Sequence, residues 1–201
     1  KQLLDWGSVT LIENQIRTLL KTEENTYVVL GAYYNEIFNV IKKYPIKIFY
    51  HKNWKNGMGS SIAFGIKEIL KKSKNYQGFL ISLCDMPLIE VNYFKKLIQN
   101  FNINKNKIIV SKSKLGVIGV PAIFPKTLEN ELMKLNEDVG AKEIINKYKV
   151  SVNEILCDDL DDIDTLEGYK MLIKKSTANS NHTSIFLMFF KIFENFRGFH
   201  S

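Results

Sequence analysis

The stretch that most limits what this chain can fold into is Gly78-Phe79-Leu80-Ile81-Ser82-Leu83-Cys84-Asp85-Met86-Pro87-Leu88-Ile89. Its first part is a continuous apolar run that ends in one carboxylate. That is the pattern of a strand buried on both faces of a parallel sheet, with its last residue emerging into solvent. Pro87 has no amide hydrogen to give to a ladder, so the strand must stop near Asp85, and the segment Glu90 to Phe101 then reads as a helix. Open α/β sheets bind their ligands in the crevice beyond the carboxyl ends of the strands. A carboxylate at that exit has two readings: it holds a metal ion and the phosphates around it, or it caps the next turn or helix.

The remaining segments alternate in the same way. Residues 9–21 carry Leu11, Ile12, Ile16 and Leu19 at helical spacing, and Thr26–Gly31 is a buried strand. Asn35–Lys43 is helical, Pro45 ends it, and Ile46–Tyr50 is a short strand. Gly57-Met58-Gly59-Ser60-Ser61 then leads into a helix from Ile62 to Leu70. Two accounts fit this junction: glycines and free amides at a helix start that approach an anion or a ribose, or a plain turn followed by a serine-capped helix.

Lys107–Ser111 is a further strand. The segment 114–125, with Gly116, Gly119, Pro121 and Pro125 in an apolar frame, predicts a bent loop leading into an edge strand, because proline interrupts a ladder. Short helices are expected over 127–135 and 140–147, a strand over Val150–Leu156, and a helix from about Leu166. Strands this apolar cannot be half exposed, so the chain is read as an α/β fold with a doubly wound sheet and helices on both faces.

A chain of 201 residues, 45% of them hydrophobic, suits one such domain without staples. Cys84 and Cys157 have no zinc-like spacing and are read as reduced core residues, which sets a cytoplasmic expectation. His51, His182 and His200 have no ligand spacing, and none is assigned to a metal. The net charge of +7 comes largely from lysine pairs such as Lys42-Lys43 and Lys71-Lys72 near helix ends. Such pairs suit the helix dipole and would attract an anionic small molecule. No basic run interleaved with aromatics points to nucleic acid. The apolar stretch Ile185–Phe193 is far short of the roughly 20 residues a membrane span needs, and Lys191 interrupts it.

Asp158, Asp159, Asp161, Asp162 and Asp164 crowd one short segment. Carboxylates so close repel each other unless a cation or lysines compensate, which makes a second metal ligand plausible; capping by Asp164 or Thr165 competes with that reading.

Several of these pieces together resemble the MobA-like nucleotidyltransferases, and most closely their molybdenum cofactor cytidylyltransferase branch. They are Lys1-Gln2-Leu3-Leu4 with Asp5-Trp6-Gly7, Val29-Leu30-Gly31, Asn53-Trp54 with Gly57-Met58-Gly59-Ser60-Ser61, and Leu83-Cys84-Asp85-Met86-Pro87. Further along come Gly119-Val120-Pro121-Ala122-Ile123-Phe124, Gly140-Ala141-Lys142 and Asp162-Ile163-Asp164-Thr165. They occur in the family's order up to about residue 173.

The resemblance implies a Rossmann-like, mostly parallel sheet of the nucleotide-diphospho-sugar transferase type. It also implies transfer of CMP from CTP to a molybdopterin-type cofactor, with release of pyrophosphate. In that reading Asp85 binds the catalytic Mg²⁺ and Asp164 is the second metal aspartate. Gly57, Met58, Gly59, Ser60 and Ser61 form the nucleotide-contacting turn, Gly119 and Pro121 lie on the acceptor side, and Lys1 neutralises charge on the triphosphate. A molybdoenzyme or its chaperone is the implied receiver of the product. From composition, neither nucleic acid nor a membrane is expected as a partner.

The sequence departs from the family pattern at both ends. The family begins with a strand and a glycine-rich loop ending in a lysine followed by a Leu-Leu pair; here Lys1 would be that lysine, and the segment before it is not in the chain as given. A chain without that phosphate cradle is expected to bind a nucleotide or cofactor weakly and not to transfer. Among enzymes, a guanylyltransferase or another small-phosphate nucleotidyltransferase is the alternative, since one turn does not fix the base. Leu166 and Gly168 stand where the late motif usually has proline and an acid.

The domain is therefore expected over 1–175, followed by a linker and apolar tail over 176–201. In the tail, Phe186, Phe189, Phe190 and Phe193 fall at spacings that fit an amphipathic interaction helix.

Overall fold

The computed structural model describes residues 2–23, 25–158, 160 and the backbone of 188–192. A small antiparallel pair, β1 (Asp5–Trp6) and β2 (Val9–Thr10), leads into α1 (Leu11–Leu20), β3 (Asn25–Leu30), α2 (Tyr34–Ile41) and β4 (Lys47–Tyr50). Next come α3 (Met58–Leu70), β5 (Gly78–Leu83), α4 (Val91–Ile103), β6 (Ile108–Lys112), β7 (Ile118–Pro125), α5 (Glu129–Lys134), α6 (Ala141–Lys147), β8 (Val152–Leu156) and β9 (Met188–Ile192). None of the described helices is long and apolar enough to cross a membrane.

The main sheet has the order β4-β3-β9-β5-β7-β6-β8. β3 pairs with β4, and β6 with β8, in parallel; β7 and β9 run against every strand they touch. Strands β3, β4, β5, β6 and β8 therefore point one way, and their carboxyl ends share one side of the sheet. Every residue of β5 is buried, as its unbroken apolar run requires.

Alternate side chains of the strands feed two separate cores. Tyr27, Val29, Phe79, Ile81, Val110 and Phe124 pack with α3, α5 and α6 on one face. Val28, Leu30, Leu80, Ile109 and Ile123 pack with α1, α2 and α4 on the other. The α/β architecture with helices on both faces is the one expected from the alternation of segments, and Cys84 and Cys157 are buried in the core and form no disulfide, as read.

Two expectations fail. The segment with Pro121 and Pro125 is not at an edge: β7 lies inside the sheet, between β5 and β6. The ladder tolerates the prolines because Val120 and Pro121 fall in a bulge, where the register with β6 jumps from Val110↔Ala122 to Ser111↔Gly119, and Pro125 is the last residue of the strand. The bulge is stitched by the Ser111 hydroxyl, which donates to the Pro121 carbonyl at 2.6 Å. Nor does the apolar tail contain a helix at 188–192. That segment is strand β9, paired on one side with β3 from Asn25 to Val29 and on the other with β5 from Phe79 to Leu83. A strand with partners on both sides satisfies its backbone more fully than an isolated helical turn of that length could.

Candidate active site

Four elements deliver residues to the carboxyl-end side of the sheet: the turn after β5, the end of β3, the loop after β4 with the first turn of α3, and the start of β7. The turn after β5 carries Asp85. Its neighbours Cys84 and Met86 are both buried in the α1–α4 core, as is Ile89, and the Asn14 side chain of α1 donates to the Pro87 carbonyl at 3.2 Å. Asp85 is thus held on a turn fixed from both sides, and is itself 7% exposed. It does not cap α4, because the N-cap position of that helix is Glu90, five residues on. Of the readings open for Asp85, capping of the next helix is removed, while a metal ligand and a cap of its own turn both stay open.

Asp85 offers hard carboxylate oxygen. Among the described residues no group of three metal-ligating side chains gathers. A cation here would be held by Asp85 together with phosphate oxygens and water, which suits Mg²⁺, an ion that retains waters and rarely takes an all-protein cage. Asp164 and Lys1, the other residues expected to meet the metal or phosphates, lie outside the described residues, as do Asp159, Asp161 and Asp162.

The Gly57–Ser61 element is the start of α3 itself, four residues earlier than the spacing of apolar side chains predicts. Both glycines are fixed by a close backbone approach. Gly57 has φ of 94°, and a Cβ there would lie 2.2 Å from the Glu137 carbonyl carbon; a Cβ on Gly59 would lie 2.3 Å from the Val139 carbonyl oxygen. The Gly59 amide donates to the Glu137 carbonyl at 2.9 Å, with Glu137 in the left-handed region at φ of 52°. The loop 136–139, which carries no sequence signal of its own, thus clasps the turn.

The serines do not cap the helix in the expected manner. Ser60 Oγ donates to the Gly57 carbonyl at 2.8 Å, Ser61 Oγ lies 3.0 Å from His51 Nδ1, and the N-cap has no side-chain hydrogen bond.

His51 and Trp54 also stand at this side of the site, although the sequence assigned neither a role there. His51 follows β4; its amide donates to the Leu30 carbonyl at the end of β3 at 2.8 Å, and its ring stacks on Phe64 with centroids 4.6 Å apart. Burial pushes its imidazole below the ordinary histidine value, which favours the neutral form. Trp54 covers Gly31, where a Cβ would stand 2.5 Å from the Trp54 Cβ. The sequence hint for His51 was its position directly after a short strand, and for Trp54 its place beside Asn53 among the pieces that resemble the family.

At the start of β7, Gly119 faces open space: an added Cβ would meet nothing within 4 Å. Glycine there is not demanded by packing. Because β7 runs against β5 and β6, Gly119 and Pro121 come before its pairing with β5, which runs from Ala122 to Pro125. They therefore lie toward the same side of the sheet as Asp85.

Comparison with known proteins agrees with this layout. The chain is similar in structure to Rv0371c from Mycobacterium tuberculosis H37Rv, at a TM-score of 0.73 and 19% identity, covering 87% of this chain and 88% of that one. A structure of that protein in complex with manganese matches at a TM-score of 0.70 and 17% identity, covering 87% of this chain and 91% of that one. A nucleotidyl transferase from Methanothermobacter matches at 0.69 and 15% identity, covering 87% of this chain and 84% of that one. The 4-diphosphocytidyl-2C-methyl-D-erythritol synthase of Anaerococcus prevotii matches at 0.62 and 15% identity, covering 85% of this chain and 87% of that one. At these identities the likeness speaks for the fold alone. No relative is found among curated proteins. The sequence profile of the MobA-like NTP transferase domain matches residues 1–152, a span that contains the Asp85 turn, the start of α3 and the bulged strand β7. With its mixed α/β sheet and these elements in that order, the chain belongs to the MobA-like NTP transferase family and so to the nucleotidyltransferases.

Proposed function

We propose that this protein transfers a cytidylyl group from CTP to a molybdopterin-type cofactor and releases pyrophosphate. The observation that carries the reading is Asp85, a carboxylate held between two buried anchors at the carboxyl end of β5, on the side of the sheet where the first turn of α3 also begins. In-line attack of an acceptor phosphate on the α-phosphorus asks little covalent chemistry of the protein, so positioning and charge neutralisation carry the rate. Bound Mg²⁺ would supply that neutralisation and orient the phosphates. Asp85 is its proposed ligand, with Asp164 as a second.

Gly57 to Ser61 form the proposed nucleotide turn. The open space at Gly119, beside Pro121, is the proposed acceptor side, and Lys1 would face the triphosphate. Cytosine is proposed because the pieces resemble the cytidylyltransferase branch most closely; the Gly57–Ser61 turn by itself does not fix the base.

The test is pyrophosphate release with CTP, GTP and ATP in parallel, each with Mg²⁺ and molybdopterin-type cofactor. Release with CTP well above the other two is expected. Preference for GTP would make the protein a guanylyltransferase, and no release from any nucleotide would reduce it to a binding protein.

A further inference from the structure

We propose that His51 is a positioning residue that locks the first turn of α3 through the hydroxyl of Ser61. Three ties fix the imidazole. Its own amide is bonded to Leu30 at the end of β3, its ring lies flat on Phe64 one turn into α3 with an interplanar angle of 17°, and Nδ1 meets Ser61 Oγ at 3.0 Å. One residue therefore spans the carboxyl end of β3, the loop after β4 and the start of α3. The arrangement differs from that of a histidine merely filling a core, because the polar atom is turned to a hydroxyl of the helix start.

Ser61 Oγ also lies 3.5 Å from the Gly57 carbonyl, so an Nδ1–H that donates to Ser61 leaves the hydroxyl hydrogen free to point at Gly57. The two serines of the turn are then both committed to holding Gly57 and His51 and not to capping amides. On its other flank the turn is held by the Gly59–Glu137 bond, so His51 and Glu137 grip it from opposite ends. Removing the His51 grip leaves the turn fixed from one side only.

The consequence for catalysis rests on the proposed role of Gly57–Ser61 in contacting the nucleotide; the positional claim itself does not. The experiment therefore starts without nucleotide. Amide hydrogen exchange over residues 57–62 is measured in the full chain and in His51→Ala, His51→Asn and His51→Gln, with global unfolding followed in parallel. Asn places a polar atom near the Nδ1 position and Gln near Nε2. His51→Ala is expected to exchange about tenfold faster in this window alone, as loss of one buried hydrogen bond implies. Asn should restore protection and Gln should not.

Ser61→Ala, which removes only a hydroxyl, should reproduce the change and serves where His51→Ala does not fold. In steady state His51→Ala and His51→Gln should raise KM for the nucleotide about tenfold with kcat little altered, and His51→Asn should not. Unchanged exchange in both His51→Ala and Ser61→Ala overturns the proposal, as does rescue by Gln in place of Asn. Absence of pyrophosphate release from the unsubstituted chain would overturn the nucleotide role of the turn, while the exchange measurement still decides the role of His51.

Discussion

Single side chains at this site separate into those that the fold needs and those that it does not. Asp85 is fixed by its buried neighbours and not by a structural duty in α4, so Asp85→Asn should keep the thermal midpoint while Mg²⁺-dependent pyrophosphate release falls on the order of 10²–10³-fold. Gly119 gives the complementary case. Its surroundings would accept a methyl group, so Gly119→Ala should change stability by less than about 0.5 kcal/mol, yet raise KM for the acceptor if the acceptor packs there. Denaturation and acceptor titration of the same variant check both halves.

Glu13 is a purely structural residue whose chemistry is legible in acid. Burial pushes its carboxyl up, but the Lys43 ammonium at 2.7 Å, the Thr10 amide and the hydroxyls of Tyr44 and Thr10 outweigh this and hold it at about 2, against 4.5 for the free side chain. A depressed folded-state value means stability that is present above about pH 4.5 and is lost as pH falls toward 2. Glu13→Gln should remove about 2 kcal/mol at neutral pH and flatten the acid limb of the stability curve across that window, which acid titration of unfolding reads directly.

At the level of elements, the strands and helices that line the site were readable because their chemistry is local. The apolar run of β5 and the break at Pro87 each mark a boundary in consecutive residues, whereas the capping box of Thr10 and Glu13, which sets the start of α1 two residues later than the apolar spacing suggests, was not read. Long-range packing was not readable. The glycines at 57 and 59 signal that something comes close, and the sequence cannot distinguish a ligand from the loop 136–139 that in fact approaches within bonding distance. Gly57→Ala combines a positive φ with a collision against backbone, so it should cost about 2–4 kcal/mol in denaturant unfolding and cannot be relieved by a side-chain rotation. β7 was misread for a related reason: two prolines argue against an interior strand unless a bulge absorbs one and the strand end the other, and a bulge is a property of the pair of strands. His51 left no trace beyond its position after a short strand, since its meaning depends on Ser61, ten residues away and on another element.

The molecule as a whole is built around a strand that the motif set does not include. β9 stands between β3 and β5, near the middle of the sheet and next to the strand that carries Asp85, although its residues lie beyond the span matched by the family profile. In its sequence, Met188-Phe189-Phe190-Lys191-Ile192, apolar Phe189 blurs the two-residue period that Met188, Phe190 and Ile192 would otherwise show, whereas the phenylalanines around it happen to satisfy a helical one. The tertiary slot decided between them. Phe190→Pro would remove an amide from a strand paired on both sides, so it should lower stability by at least about 1–3 kcal/mol and broaden or split the urea transition.

The position of β9 also bears on how the chain comes into being. β3 and β5 are synthesised long before β9, which pairs with both of them. Until β9 is made, the edges of β3 and β5 that it covers in the finished sheet lack that partner, so the yield of folded protein should respond to chaperone capture during translation.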